Sequence, residues 1–313
     1  MDIDVIILSY NRLELTLETI QSVCQQTGVS PVIWLVDQGS SDDCLVALRT
    51  MANSVPNLHL IENGYNTGVA MGRNIGIGNG TAEVVVSLDN DAILADDHTL
   101  ARLAIRFEED PALGAVGFKV ENYYTGEYDR GSWAYPRNLF EHRDEMFLTT
   151  RFCGAGHALR RSALEKTALY DEALFFYWEE LDLSYQLIEA GYKIIYDPAF
   201  VVRHKVSPEQ RTNWKDKRYF YLVRNAIYLD FKYFRSLKRA LMLSAGYLLK
   251  GAYNGTFKQA LSGVLDARTM IRQLPNALPL GLHAKQYIYE HDFRHRGSIW
   301  QRIQREVFER LPS

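Results

Sequence analysis

The chain has 313 residues, enough for one large α/β domain or two smaller units, and its formal net charge of −3 gives no global attraction toward a polyanion, so nucleic acid is not expected as a partner. Cys24, Cys44 and Cys153 are odd in number, far apart and never spaced C-x-x-C, which argues against a disulfide framework or a zinc knuckle and makes them candidate buried small hydrophobes. No apolar run is long enough to cross a bilayer, and the acidic start Met1-Asp2-Ile3-Asp4 has no basic n-region, so a cytoplasmic protein is expected, with attachment to a membrane surface left open.

The first elements read as strand, turn and helix. Val5-Ile6-Ile7-Leu8 is a short apolar run, and Leu13, Leu17 and Ile20 follow at helical spacing. The pattern repeats with a strand over residues 32–36, the polar turn Asp37-Gln38-Gly39-Ser40-Ser41-Asp42-Asp43, and a helix carrying Leu45, Leu48 and Met51. A strand over 58–61 leads through Asn63-Gly64-Tyr65-Asn66-Thr67-Gly68 into another helix, and residues 84–88 make a fourth strand. Such alternation predicts a mostly parallel, doubly wound sheet with helices on both faces, whose ligands sit beyond the carboxyl ends of the strands. After about Pro111 the regularity weakens, and residues 123–143, rich in Tyr, Trp, Arg and Gly, read as a loop that could face an acceptor. Structure resumes over 152–160, then a helix from near Glu180 with Leu183, Leu187 and Ile188 on one face ends at Gly191. Strands over 193–196 and 200–202 follow, and beyond Trp214 the composition turns to long helical patterns.

The strongest local signal is Leu88-Asp89-Asn90-Asp91, two acids ending an apolar strand, costly there unless something positive binds them. A divalent Mg²⁺ or Mn²⁺ would suit Asp91 and a diphosphate, leaving Asp89 for a ribose hydroxyl; a strand-end turn with solvated acids is the bland alternative. In Phe175-Phe176-Tyr177-Trp178-Glu179-Glu180-Leu181-Asp182, aromatic faces can pack on a sugar, and acids such as Glu179 and Asp182 can bind its hydroxyls. Glu180 stands at a helix start, where the dipole favours negative charge, and is the candidate to accept the acceptor's proton; an acid-decorated helix N-terminus is the alternative. His204, ending a strand, is a candidate metal ligand beside Asp91 or an ordinary polar strand end. His291 and His295 have metal spacing, yet their neighbours Asp292, Phe293 and Arg294 suggest exposed surface. Gly76, Gly78 and Gly80 do not make a dinucleotide fingerprint, since they follow a helix and Thr81 stands where the last glycine belongs. In the segment from Asn66 to Asn74, small residues admit close approach and Arg73 can reach a base or a phosphate.

In order and spacing these pieces resemble the family 2 glycosyltransferases, inverting enzymes of the GT-A fold. The match covers most of residues 3–225: Ile7-Leu8-Ser9-Tyr10-Asn11-Arg12, Leu35-Val36-Asp37-Gln38-Gly39-Ser40-Ser41-Asp42, Asn66-Thr67-Gly68 with Arg73-Asn74, Asp89 and Asp91, Gly154-Ala155-Gly156, Glu179-Glu180-Leu181-Asp182, His204, and Arg224-Asn225. The resemblance implies Tyr10 and Asp37 at the nucleobase, Asn66, Arg73 and Asp89 around the nucleotide, Trp178, Glu179 and Asp182 toward the acceptor, Asp91 and His204 at an Mn²⁺ or Mg²⁺ ion, and Glu180 as base. It further implies a UDP or dTDP donor and a glycan or lipid-linked acceptor, in cell-surface polysaccharide or glycolipid synthesis of the rhamnosyltransferase kind. Two departures stand out: Glu179-Glu180 replaces the usual Glu-Asp, and Gln38 the usual Asn or Asp. A catalytic domain over 1–225, with a donor half over 1–110 and an acceptor half over 111–225, is expected to precede a helical extension over 226–313. That extension reads as a membrane-surface contact, a clamp over the catalytic domain or a homodimer contact. A nucleotidyltransferase acting on sugar phosphates and a catalytically silent sugar-binding subunit are the rival functions.

Overall fold

The computed structural model describes residues 1–205, 217–274 and 279–311. Trp214, where the composition changes, lies outside them. In chain order the elements are β1 (Ile3–Ser9), α1 (Leu13–Cys24), β2 (Val32–Asp37), α2 (Asp42–Ser54), β3 (Leu58–Glu62), α3 (Gly68–Asn79), β4 (Val84–Leu88), β5 (Ala92–Leu94), α4 (Thr99–Glu109) and β6 (Leu113–Asn122). There follow β7 (Phe147–Thr149), β8 (Gly156–Arg160), α5 (Arg161–Leu164), α6 (Glu179–Glu189), β9 (Lys193–His204), α7 (Lys217–Phe234), α8 (Leu237–Tyr253), α9 (Phe257–Gln273), α10 (Leu282–His291) and α11 (Ile299–Phe308).

The sheet runs β3-β2-β1-β4-β8-β6-β9-β5, with β7 paired to β9. β1, β2, β3 and β4 are parallel; β8 runs antiparallel between β4 and β6, and β9 lies parallel to β6. Only β5, β7 and β8 therefore oppose the common direction, and the mostly parallel α/β sheet expected from the sequence is present. The central strands are buried on both faces: Ile3, Val5 and Ile7 of β1 join one core with α1, α2 and α4, while Ile6 joins the other with α3, α5, α6 and α10. Gly76 belongs to that second core as a packing residue, since a Cβ there would lie 2.6 Å from Ile6.

Several expectations need correction. The strands read over 193–196 and 200–202 are one strand, β9, whose register against β6 shifts between Phe118 and Lys119. The boundary at residue 225 falls inside α7, a single helix whose Tyr228, Leu229 and Tyr233 pack in the same core as α6. Residues 123–143 are a loop with two short 3-10 turns, stiffened by edge-to-face rings: Trp133 packs on Tyr128, Tyr135, Phe140 and Tyr196. Cys44 is buried and Cys153 partly so, but Cys24 is exposed at the end of α1. Asp292 is only 1% exposed, because Arg151 and Arg296 both pair with it; the surface expected around His291 and His295 is in part a buried ion cluster. Among the described residues no helix is long and apolar enough to cross a membrane.

Candidate active site

The carboxyl ends of β1, β2, β4 and β9 lie at one edge of the sheet, so their polar residues gather there. After β1, Asn11 takes φ 54, which Asn tolerates better than most residues, and its side chain accepts the Ser41 N–H at 2.8 Å. After β2, Asp37 is fully buried and accepts the Gly39 and Ser40 N–H groups at 2.9 Å each and the Ser40 hydroxyl. The Gln38 amide oxygen accepts from the Thr67 N–H and hydroxyl, both at 2.8 Å, and so joins the β2 turn to the β3–α3 loop. Its Nε2 is buried without a partner. Tyr10 and Asn66 stand exposed at this rim, with the Asn66 side chain accepting the Gly68 N–H at 2.9 Å.

Arg73 projects from α3 beneath this edge and is 2% exposed. Its Nη1 donates to Glu180 Oε1 at 2.7 Å and lies 3.6 Å from Glu179 Oε1. Its Nη2 donates to the Gly154 carbonyl at 3.1 Å and to Asp89 at 3.4 Å. One guanidinium thus faces three acids. Burial, reinforced by the charge on Glu180, pushes the Glu179 carboxyl well above the usual range against the pull of Arg73. Its Oε2 has no partner. A Cβ at Gly154 would collide with Glu180 Oε1, so any side chain there displaces that carboxylate.

Asp89, Asp91 and His204 form a second group, with one ligand atom from each lying within 4.8 Å of the others. Asp91 accepts from Arg12 Nη1 at 2.7 Å and meets His204 Nε2 at 3.1 Å, while His204 Nδ1 meets Asp129 at 3.3 Å. Burial opposes charge on His204, yet its bonds to Asp129 and Asp91 outweigh burial and bring the imidazole up to about 10. Burial likewise works against charge on Asp91, and the His204 hydrogen bond with the charges of His204 and Arg12 holds its carboxyl below the usual range. Two carboxylates and an imidazole whose other nitrogen is fixed by a carboxylate are a donor set that fits a divalent cation, which on binding would displace the proton that His204 Nε2 shares with Asp91. Asp89 belongs to both groups, so it links the Arg73–Glu180 pair to Asp91 and His204.

Not every candidate lies there. Asp182 is fully buried on the inner side of α6, where Lys232 Nζ donates at 2.7 Å and Tyr233 Oη at 2.7 Å; it braces α6 against α7 and has no face for an acceptor. Glu179 is equally enclosed beside Arg73, and the Trp178 indole donates to the Leu222 carbonyl of α7 at 3.0 Å. Arg73 itself is taken up by acids rather than free for a base. Arg12 and Asp129 were missed. Arg12 is signalled only by its place at the end of β1, and Asp129, an acid in an irregular loop, carries no sequence signal.

The model of "Glycosyl transferase family 2" matches residues 4–168, more than half of the chain. The chain is 26% identical over 229 residues to the O-antigen chain rhamnosyltransferase RfbN of Salmonella typhimurium, covering 70% of this chain and 71% of that one. Among solved structures it resembles the mannosyltransferase PcManGT of Pyrobaculum calidifontis, described in complex with GDP-Man and Mn²⁺, at TM-score 0.60 and 22% identity, over 98% of this chain and 84% of that one. It also resembles GalNAc-T7, described with UDP, GalNAc and Mn²⁺, at TM-score 0.64 and 16% identity, over 98% of this chain and 58% of that one. These structural likenesses show the GT-A glycosyltransferase fold. With the strand-end acids, the buried Arg73 and the family match in hand, the chain belongs to glycosyltransferase family 2.

Proposed function

We propose that this glycosyltransferase moves one sugar from a nucleoside diphosphate to an acceptor hydroxyl with inversion, in polysaccharide or glycolipid assembly. The observation that carries the reading is the run of contacts in which Arg73 ties Glu180 to Asp89, beside Asp91 and His204. Glu180 takes the hydroxyl proton, the acceptor oxygen bonds to the anomeric carbon, and the bond from that carbon to the phosphate oxygen breaks with its electron pair leaving on the diphosphate. Asp89, Asp91 and His204 would hold Mn²⁺ or Mg²⁺, which when bound offsets the charge on the departing diphosphate. The imidazole favours Mn²⁺. Asp129 orients His204 through Nδ1, and Arg73 aims Glu180 through a 2.7 Å hydrogen bond.

Tyr10 and Asn66 line the nucleobase end of the site in this reading, while Asp37, fully buried, shapes the turn beside them through its bonds to Gly39 and Ser40 and has no face for a base. The rhamnosyltransferase relative supports a rhamnosyl donor and the UDP-bound neighbour supports UDP, so dTDP- and UDP-sugars belong in a donor screen beside GDP-mannose. The outward side of α8 supports a peripheral membrane contact: Leu237, Leu241, Met242, Leu249 and Tyr253 are exposed, and no acid occurs between Arg235 and Asp266. Flotation with anionic but not neutral vesicles is expected, and self-association without flotation would make that face a dimer contact.

Glu180→Gln is the decisive variant. Loss of a general base predicts a fall in kcat of about 10²–10⁴ with donor affinity within a few-fold of wild type. Turnover within a few-fold of wild type would remove Glu180 as base, and activity indifferent to a chelator would remove the metal.

A further inference from the structure

Immediately before Glu180 the main chain adopts a shape that its residues do not favour. Phe175 has φ 60 and ψ −55, Tyr177 has φ 69, and Trp178 has φ 73 and ψ 2. Bulky side chains in this region cost on the order of 1–3 kcal/mol each, so surrounding structure must hold them. The Phe176 N–H donates to the Leu174 carbonyl at 2.6 Å, closing a three-residue turn at Phe175. Trp178 is also the residue from which α6 starts, so this turn sets the entry of the helix that carries Glu180.

The turn is held by α7. Asn225, fully buried, donates from Nδ2 to the carbonyls of Leu174 at 2.9 Å, Phe176 at 2.8 Å and Tyr177 at 2.8 Å. Arg224 Nη2 donates to the Ala173 carbonyl at 2.7 Å and the Leu174 carbonyl at 2.9 Å. Its Nε donates to Asn225 Oδ1 at 2.7 Å, which fixes the amide with its NH2 toward the turn. Phe175 stacks on Tyr221 at 5.2 Å between ring centres. On the opposite side the Val69 N–H donates to the Phe175 carbonyl at 2.7 Å, and Gly68, at φ 84, has no room for a Cβ against Phe175. The strained turn is therefore gripped between α7 and the start of α3, the helix that carries Arg73.

We propose that Asn225, fixed by Arg224, is a positioning residue for glycosyl transfer, acting through the 174–178 turn to place Glu180 against Arg73 and the strand-end acids. The proposal rests on Glu180 being the base. A purely local packing role would lower stability alone; a positioning role lowers the chemical step while donor affinity holds.

Asn225→Asp keeps the side-chain size and replaces the NH2 donor with an oxygen facing three carbonyls. The expected result is a 10- to 100-fold fall in kcat, donor affinity by calorimetry within about threefold of wild type, and faster amide hydrogen exchange over residues 174–178. In a Glu180→Gln background the same substitution should lower the residual rate by less than about threefold, since the group it places is gone. A kcat within twofold of wild type, or an additive loss in the double variant, overturns the proposal. Full activity in Glu180→Gln alone overturns the base assignment and this role with it, whereas an inactive Glu180→Gln with additive behaviour overturns this role only. If Asn225→Asp does not fold, Arg224→Lys, which keeps the charge but loses the Nε donor to Asn225, is read by the same criteria.

Discussion

Two of the buried arginine–carboxylate centres among the described residues are built in opposite proportions. At the candidate site, one guanidinium, Arg73, faces Asp89, Glu179 and Glu180, and an oxygen of Glu179 has no partner. Below the sheet, one carboxylate, Asp292, faces two guanidiniums: Arg151 donates to it at 2.8 Å, and Arg296 donates through Nε at 2.8 Å and through Nη2 to the other oxygen. The second centre satisfies both oxygens of its acid and ties the segment before β8 to the end of α10. The first leaves negative charge and an open acceptor beside it.

The contrast can be broken by substitution. The largest effect on stability is expected from Asp292→Ala, which removes the buried carboxylate that Arg151 and Arg296 share and should cost about 3–5 kcal/mol in chemical denaturation while the folded fraction keeps its kcat. Loss of turnover without loss of stability would mean the two centres are coupled. A smaller effect comes from acid. Burial would raise the Asp292 carboxyl, but Arg151 and Arg296 prevail and hold it at about 2. A depressed carboxyl stabilises the fold above its unfolded value near 3.9, and this is lost as pH falls toward 2; the contribution is about 2 kcal/mol, and the acid limb of a pH titration of stability should flatten by that amount in Asp292→Asn. The smallest effect is expected from Glu179→Gln. Since burial works against charge on that carboxyl, removing the charge should change stability by less than about 1 kcal/mol, and a large destabilisation would show that its pairing with Arg73 prevails over burial.

The donor half was legible because its strands are short apolar runs ended by acids, and β1, β2, β3 and β4 lie within a residue or two of their expected bounds. The helix α4 carried a readable signal in Leu100, Leu103, Ala104 and Phe107 at helical spacing, but no assignment was made there. Beyond it, β6 and β7 depend on pairing with β9, a strand remote in sequence, so local pattern says little about them. Among site residues, Glu180 and Asp182 look alike as acids in the first turn of a helix. Only Lys232, fifty residues on in α7, decides that Asp182 is structural. The left-handed backbone at Phe175, Tyr177 and Trp178 had no sequence signal, because aromatic residues seldom adopt it unless distant partners impose it.

Gly154 would be easy to misjudge in a mutational survey. It has no side chain with which to touch a substrate and lies in a segment that is neither strand nor helix, yet any larger residue there would push Glu180 aside. Substitutions at that position should leave a well-folded, donor-competent and inert protein, so tolerance in a folding screen combined with failure in an activity screen would mark Gly154 as a spacer for the reacting groups.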